Sequence, residues 1–149
     1  MVNLPHRVRG PVNLVLRVLA AAGLAVDAYV HFDLAAGFDA LGSTTITLGA
    51  LFRVQAVIAM LAALLILLIG RPWVYLAAFL VAASALGAVL QSTYVDIGAL
   101  GPLPSIYEPV WYWDKTFSAI GEAVAALAAA GLLALTLRRR SPAPASNRT

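Results

Sequence analysis

Residues 45–69 read TITLGALFRVQAVIAMLAALLILLI, a run of 25 residues in which Arg53 is the only charged side chain. A bilayer core of about 30 Å needs roughly 20 apolar residues in a helix, so this run is long enough to cross a membrane. Three more runs of similar length and character lie at 12–34, 73–95 and 116–137. The pattern predicts an all-α fold, a transmembrane four-helix bundle.

The composition of the whole chain points to the same class of protein. Of its 149 residues, 62% are hydrophobic and only 11% are charged, and the mean hydropathy is +0.88. A soluble domain carries about 25% charged residues, so this composition disfavours a soluble enzyme, a disordered protein and a nucleic-acid binder. The chain has no cysteine, which excludes disulfides, thiolate metal sites and cysteine nucleophiles. Arginine far outnumbers lysine, a usage typical of GC-rich bacterial genomes.

Breaks in the apolar pattern divide the chain around a four-span domain at 12–137. Glycine and proline precede the first and third spans, as expected near helix starts. Gly42-Ser43 supplies the predicted N-cap of the second span. Residues 1–11 form a short N-terminal segment, and residues 138–149 are predicted to be a basic, disordered tail.

The charged residues are sorted between the two ends of such a bundle. In an antiparallel arrangement of four spans, eight of the ten basic residues fall at the end that carries both termini, and all seven acidic residues fall at the other end. The positive-inside rule then predicts a multi-pass protein of a bacterial plasma membrane with both termini in the cytoplasm. The eight basic residues are Arg7, Arg9, Arg17, Arg71, Arg138, Arg139, Arg140 and Arg148.

The first span has a second interpretation as a secretory signal peptide. A basic start and an apolar run are followed by the triplet Val26-Asp27-Ala28, which imitates a small-residue cleavage site. Arg17 within the apolar run and Asp27 within the triplet argue against cleavage. N-terminal sequencing of the membrane-extracted protein decides between the two interpretations.

Polar residues inside the spans need a reason, because the bilayer makes them costly. Asp27 and His31 are four residues apart and share one face of the first span, and Glu122 lies at comparable depth in the fourth. We expect every span to contribute to one polar layer in the bundle interior, near the outer face. The predicted members of this layer are Asp27, His31, Arg53, Gln91 and Glu122.

Four interpretations of the polar layer stay open. In an ion-paired plug, Arg53 neutralises Asp27 and Glu122 while Gln91 and His31 complete the hydrogen bonds. In a small-ligand or ion site that opens outward, the carboxylates and His31 are the working groups. The remaining two interpretations are a proton path and a catalytic pair of histidine and carboxylate.

No metal site and no cofactor are predicted. The motif Asp27-x-x-x-His31-x-Asp33 has a spacing typical of metal ligands, but Asp33 does not share a face with Asp27. Metal sites usually have three or more ligands, so Glu122 would have to join from another span. Bis-histidine haem ligation is excluded because His31 is the only histidine within the spans.

The longest stretch between spans, residues 96–115, is rich in proline and aromatic residues. One interpretation is an aromatic belt that anchors the loop at the lipid headgroups. The other is a lid over the polar layer made by Glu108, Trp111 and Trp113, with Glu108 above Glu122. Aromatic residues beside a polar cavity suit an amphipathic ligand, and a lid of this kind favours a quinone or a lipid-like molecule.

Three segments resemble a family of small bacterial four-helix integral membrane proteins: residues 27–33, residues 51–55, and residues 101–112 with their GPLP and EPVWY motifs. More loosely, the helix count and topology are similar to those of DoxX-type proteins, some of which are linked to quinone-coupled respiratory oxidoreductases. The resemblance implies a four-helix membrane fold, and it carries over no functional residue.

These features favour a non-enzymatic membrane protein, either an accessory subunit or a small-ligand binder. Its expected partners are membrane lipids, with a homo-oligomer or a larger membrane complex as its assembly, and no nucleic acid. The alternative is a membrane-embedded redox, quinone-linked or isomerase-type enzyme that uses His31 with Asp27 or Glu122.

Overall fold

The computed structural model describes residues 10–40 and 45–138. These residues form four helices, and the one β-pairing among them is an isolated bridge between Leu100 and Leu103. All four helices are long and apolar enough to cross a membrane, which confirms the predicted all-α, four-helix class. The helices are α1 (Pro11–Asp39), α2 (Leu48–Leu68), α3 (Pro72–Tyr94) and α4 (Trp113–Arg138).

Some predictions fall outside the described ranges, among them the segment before residue 10 and the basic tail after residue 138. The predicted Gly42-Ser43 cap also lies outside them. α2 begins at Leu48, and its N-cap is Thr47, whose hydroxyl oxygen accepts a hydrogen bond from the Ala50 amide at 3.0 Å. The prediction that Gly42-Ser43 caps this helix is therefore wrong, because a threonine nearer to the helix satisfies the amide.

The four helices run antiparallel in chain order. α1 packs closely against α2 and α4, and α3 packs against α4, while α2 and α3 make the loosest contact of the neighbouring pairs. We call the end where α1 ends and α2 begins the loop end, because the α3–α4 connection (residues 95–112) also lies there. The opposite end, where α1 begins and α4 ends, is the termini end.

A pair of glycines sets the closest approach of α1 and α4. A Cβ at Gly23 would overlap the Gly121 carbonyl oxygen, and a Cβ at Gly121 would lie 2.8 Å from the Gly23 carbonyl oxygen. Glycine at both positions therefore lets the two backbones touch. Asp27 lies one turn beyond Gly23 toward the loop end, and Glu122 directly follows Gly121.

Small and aliphatic side chains close the termini-end half of the bundle, where Leu24 and Leu132 are fully buried. Arg17 is buried there as well. Its guanidinium donates to the carbonyl oxygen of Ile66, at 2.7 Å, and to that of Leu67. These carbonyls lie in the last turn of α2 and have no partner within their own helix, so the guanidinium satisfies them. The cation also interacts favourably with the negative end of the α2 helix dipole.

Large apolar side chains cover the outside of the helices. Leu61 on α2, Leu80 on α3 and Leu127 on α4 each expose more than half of their surface. Apolar exposure on this scale would be a liability in water, whereas it suits helices that are surrounded by lipid.

Candidate functional site

Asp27 lies in the bundle interior and accepts hydrogen bonds from three helices. Asp27 is fully buried. Its Oδ1 accepts from His31 Nδ1 at 2.7 Å and from the Ser118 hydroxyl at 3.3 Å, and its Oδ2 accepts from Gln55 Nε2 at 2.9 Å. The donors belong to α1, α4 and α2, so one carboxylate ties these three helices together. We call Asp27, His31, Gln55, Ser118 and Glu122 the polar cluster.

The imidazole of His31 is held in one orientation. Nδ1 contacts the Asp27 carboxylate and also the Asp27 carbonyl oxygen, at 3.0 Å. Both partners are acceptors, so Nδ1 carries a proton in this arrangement. The ring also packs edge-on against Phe52, with 4.9 Å between the ring centroids. Nε2 is left as the ring nitrogen that can accept a hydrogen bond.

Glu122 adds a second fully buried carboxyl group to the cluster. Its Oε1 accepts from the Ser118 hydroxyl at 3.0 Å, but a hydroxyl has one proton and Ser118 also faces Asp27. Its Oε2 is buried and has no hydrogen-bond partner among the described residues. Over residues 10–40 and 45–138, no lysine or arginine pairs with Asp27 or Glu122. The cluster therefore sets two carboxyl groups against one imidazole.

The polar cluster lies in the half of the bundle that is nearer the loop end. At a rise of 1.5 Å per residue, Asp27 is about 24 Å from the first residue of α1 and about 18 Å from its last. Glu122 is about 14 Å from the first residue of α4 and about 24 Å from its last. The contact between Gly23 and Gly121, the glycine crossing, explains this common depth. It fixes the register of α1 against α4 within one turn of both carboxyl groups.

A cavity of about 300 Å³ adjoins the polar cluster on its loop-end side. Its walls come from all four helices and from the α3–α4 connection, and most of the lining side chains are apolar. Three members of the cluster border it, namely His31, Gln55 and Ser118. The cavity therefore combines apolar walls with a polar floor.

The α3–α4 connection closes the loop end of this cavity, where Ile106, Glu108 and Tyr112 line it. The Glu108 amide donates to the Ser92 carbonyl oxygen at 2.7 Å. The buried ammonium of Lys115 donates to the Glu108 carbonyl oxygen. The segment is therefore anchored to α3 on one side and to α4 on the other.

Tyr112 brings a neutral hydroxyl to the cavity wall. Partial burial raises the pKa of Tyr112, and the negative charges of Glu108 and Asp114 raise it further. The phenol therefore keeps its proton throughout the physiological pH range and can donate or accept a hydrogen bond.

Asp27, His31 and Glu122 meet as members of one cluster, whereas Arg53 lies elsewhere. Arg53 pairs with Asp39 at 2.6 Å, and both side chains are well exposed. The prediction that Arg53 belongs to the polar layer is wrong, and so is the plug in which it neutralises both carboxylates. α1 continues past the predicted end of its span, so it presents a closer carboxylate to Arg53 at the loop end.

Gln91 was also predicted in the polar layer, and this prediction is wrong too. Its amide donates to the Val95 carbonyl oxygen at 3.0 Å, so it caps the C-terminal end of its own helix. α3 contributes apolar and hydroxyl side chains to the cavity wall, among them Ser84 and Ser92, and no member of the polar cluster.

The polar residue that α2 supplies is Gln55, which the sequence analysis did not single out. Gln55 and Arg53 are two residues apart and hence about 200° apart around the helix, so only one of them faces the interior. Gln55 aligns with the fully buried Ala59, whereas Arg53 aligns with the exposed Val57 and Leu64. This size pattern was the available signal, because small residues mark the packed face and bulky ones the lipid face.

Among the predicted lid residues Glu108, Trp111 and Trp113, only Glu108 lines the cavity. Trp111 contacts Tyr94, with the indole nitrogen donating to the tyrosine hydroxyl at 3.2 Å, and Trp113 is 76% exposed. The lid prediction is therefore wrong for both tryptophans. Their exposure at the loop end agrees with the interfacial-belt interpretation.

The prediction of no metal site depends on the lack of a third ligand beside Asp27 and His31. Asp33 is exposed and does not join Asp27 and His31. Glu122, however, does join Asp27 and His31, and one potential ligand atom from each lies within 4.8 Å of the other two. The prediction of no metal site therefore loses its premise.

No family model, no curated protein and no solved structure matches this chain. The resemblance to small four-helix membrane proteins, and more loosely to DoxX-type proteins, stays a prediction. Fold and site together define a class: a four-helix protein able to span a membrane, with a polar cluster beside a mostly apolar cavity.

Proposed function

We propose that this protein is a multi-pass protein of a bacterial plasma membrane that binds a small amphipathic molecule, a quinone or a lipid-like compound, in the loop-end cavity. In this role it is a binding protein or an accessory subunit of a larger complex rather than an enzyme. The observation that carries the proposal is the cavity of about 300 Å³, in which apolar walls meet the polar atoms of His31, Gln55 and Ser118.

The lining of the cavity accounts for this choice of ligand. Leu51 and Phe52 belong to an apolar wall that would hold a hydrocarbon or ring system, and His31 Nε2 offers an acceptor to a ligand hydroxyl such as that of a quinol. Ligand pockets usually span about 300–1,000 Å³, so this volume suits a head group or a short chain. A whole lipid would extend beyond it.

The bilayer supplies a route to this cavity. α2 and α3 make the loosest contact of the neighbouring helices, and residues of both line the cavity. A molecule dissolved in the hydrocarbon core would therefore enter between these two helices without crossing water.

The sorting of charge supports an orientation with both termini in the cytoplasm. Among the described residues, Arg17, Arg71 and Arg138 lie toward the termini end, while Asp39, Asp96 and Glu108 are among the acidic residues of the loop end. The positive-inside rule favours the termini end as the cytoplasmic end. The cavity would then lie in the outer half of the membrane.

A membrane-embedded enzyme is the second candidate, and the His31–Asp27 contact favours it. A carboxylate that accepts from Nδ1 fixes the ring orientation and leaves Nε2 as a proton acceptor, which is the arrangement that general-base histidines use. A redox, quinone-linked or isomerase-type reaction would then take place on the ligand in the cavity. Chemical conversion of a bound quinone, followed by absorbance, separates this candidate from simple binding.

The binding proposal is tested with purified full-length protein in detergent micelles and decylubiquinone as the probe. Native mass spectrometry reports oligomeric state and any retained quinone or lipid, and equilibrium dialysis measures probe affinity. Ala88→Phe places an aromatic ring in the cavity wall and should weaken probe binding roughly tenfold or more, because it removes ligand volume.

The matched control for this variant is Gly87→Phe. Gly87 precedes Ala88, is not part of the cavity lining, and has nothing within 4 Å of an added Cβ. We expect Gly87→Phe to bind the probe as the wild type does. Equal affinity of both variants, or absence of binding to the wild type together with no retained lipid, contradicts the proposal.

A further inference from the structure

We infer that Asp27, His31 and Glu122 bind one divalent transition-metal ion, a role that goes beyond the proposed binding of an amphipathic molecule. Two carboxylate oxygens and one imidazole nitrogen, one from each residue, lie within 4.8 Å of one another. Atoms bound to one ion at about 2.0–2.2 Å lie about 3–3.5 Å apart, so modest side-chain shifts bring these three onto a single ion.

The unpartnered oxygen of Glu122 is an independent observation that points to a ligand. Glu122 is fully buried, and Oε2 has no hydrogen-bond partner in the described part of the chain. Buried polar atoms are nearly always paired, because an unpaired one costs the full free energy of its desolvation. A cation beside this oxygen removes that cost.

The charge of the three ligating side chains also matches that of a divalent cation. With both carboxyl groups ionised and the imidazole neutral, this ligand set carries a charge of −2, which a divalent ion neutralises. The two basic side chains at the loop end are engaged elsewhere. Arg53 pairs with Asp39, and Lys115 donates to the Glu108 carbonyl oxygen.

Two neighbouring side chains orient the carboxylates as outer-sphere groups do in metal sites. Gln55 Nε2 donates to Asp27 Oδ2 at 2.9 Å, and the Ser118 hydroxyl lies 3.0 Å from Glu122 Oε1. Metal-ligating carboxylates are themselves usually hydrogen-bonded, and such partners tune affinity. The Gly23–Gly121 crossing supplies the rigid scaffold, since it fixes α1 against α4 within one turn of both carboxyl groups.

The ligand set selects the class of ion. One imidazole nitrogen and two carboxylate oxygens suit Zn²⁺, Mn²⁺, Fe²⁺ and Co²⁺, whereas Mg²⁺ and Ca²⁺ prefer oxygen alone and Cu⁺ prefers sulfur. Three protein ligands leave at least one coordination position for water or for an oxygen of another molecule. His31 borders the cavity, so that position would be accessible from it.

The test uses full-length protein in detergent micelles, treated with a chelator and then dialysed. Titration with Co²⁺, followed by its visible absorption, reports coordination directly, and elemental analysis after dialysis against Zn²⁺ gives the stoichiometry. We expect one ion per chain. Glu122→Gln should lower the affinity roughly tenfold or more, because it replaces a charged ligand with a neutral amide.

The matched control is Asp33→Asn, which removes an exposed carboxylate two residues after His31 on the same helix. It should bind the ion as the wild type does. His31→Gln is the second ligand variant, and it decides the matter if helix content measured by circular dichroism shows that Glu122→Gln does not fold.

Two outcomes overturn the inference. One is wild-type protein that retains no more ion than the dialysis blank. The other is equal affinity in the ligand variants and in Asp33→Asn. The test uses the metal ion alone, so its result is independent of whether decylubiquinone binds in the cavity.

Discussion

The two halves of the bundle surround a buried ionisable side chain differently. In the termini-end half, the guanidinium of Arg17 donates to the carbonyl oxygens of Ile66 and Leu67, which the last turn of α2 leaves without partners. In the loop-end half, Glu122 is equally buried, yet its Oε2 has no hydrogen-bond partner among the described residues. A buried ionisable side chain is therefore no evidence of a functional site by itself. The evidence is an unmet hydrogen-bonding need that lies close to a cavity.

Arg17 and Glu122 also differ in their surroundings. Arg17 contacts the last turn of α2, where Ile66 is fully buried in the apolar core. Glu122 lies beside His31 and Ser118, which border a cavity of about 300 Å³. This space is partly open to the outside of the bundle, and the anchored α3–α4 connection forms its loop-end wall.

The largest effect is expected from Gly23→Ala, which acts on both halves because Gly23 lies between them. The added Cβ overlaps the Gly121 carbonyl oxygen, and backbone atoms cannot move aside without separating α1 from α4. We expect a loss of about 3 kcal/mol of stability, the upper end of typical overpacking costs. Thermal unfolding in detergent, followed by circular dichroism, measures it.

Gly37→Ala on the same helix is the control for Gly23→Ala. Gly37 has nothing within 4 Å of an added Cβ, so the variant should gain about 0.5–1 kcal/mol from its better helix propensity. Equal stability changes in the two variants would mean that the glycine crossing does not set the packing of α1 on α4.

A smaller loss is expected from Arg17→Met, which affects the termini-end half alone. Methionine keeps most of the apolar volume but removes the donors to Ile66 and Leu67, and hydrogen bonds of this charged type contribute about 1.5–3 kcal/mol. We expect a net loss of about 2 kcal/mol with metal stoichiometry unchanged. Arg71→Met removes an exposed arginine at the same end and should unfold at the wild-type temperature. If both arginine variants unfold at the wild-type temperature, the capping role of Arg17 is refuted.

The fold could be predicted because each helix has its own local cause. Four apolar runs of bilayer length are visible without any tertiary information, and a bundle is what four such runs form. The boundaries depended on contacts between helices instead. α1 extends to Asp39, whose carboxylate accepts a hydrogen bond from Thr47 and pairs with Arg53. No residue within the predicted first span indicates that the helix continues this far.

The site was predictable only where one helix determined it. Asp27 and His31 share a face because they are four residues apart, so their contact follows from helix geometry alone. Whether Arg53 or Gln55 joins the site depends on which face of α2 turns inward. The sequence prediction chose Arg53 because it is charged. The sequence of α1 alone does not indicate the role of Arg17, because that role depends on where α2 ends. The cavity arises from the loose contact of α2 with α3, which composition does not encode.

The smallest effect on the metal-free protein is expected from Glu122→Gln, and it provides the sharpest contrast with Arg17→Met. The amide keeps the shape of the side chain and an acceptor for Ser118, and it removes a buried carboxyl oxygen that had no partner among the described residues. In the presence of a chelator, we therefore expect thermal stability within about 1 kcal/mol of the wild type, or slightly above it. With Zn²⁺ added at about 100 times the wild-type dissociation constant, the wild type should gain about 2.7 kcal/mol by linkage, and the variant, whose affinity is about tenfold lower or weaker still, should gain about 1.4 kcal/mol or less. Thermal unfolding with and without Zn²⁺ measures both quantities. If Glu122→Gln instead costs as much as Arg17→Met in the chelator, then Glu122 is as structural as Arg17, because a group held for a ligand contributes little until that ligand binds.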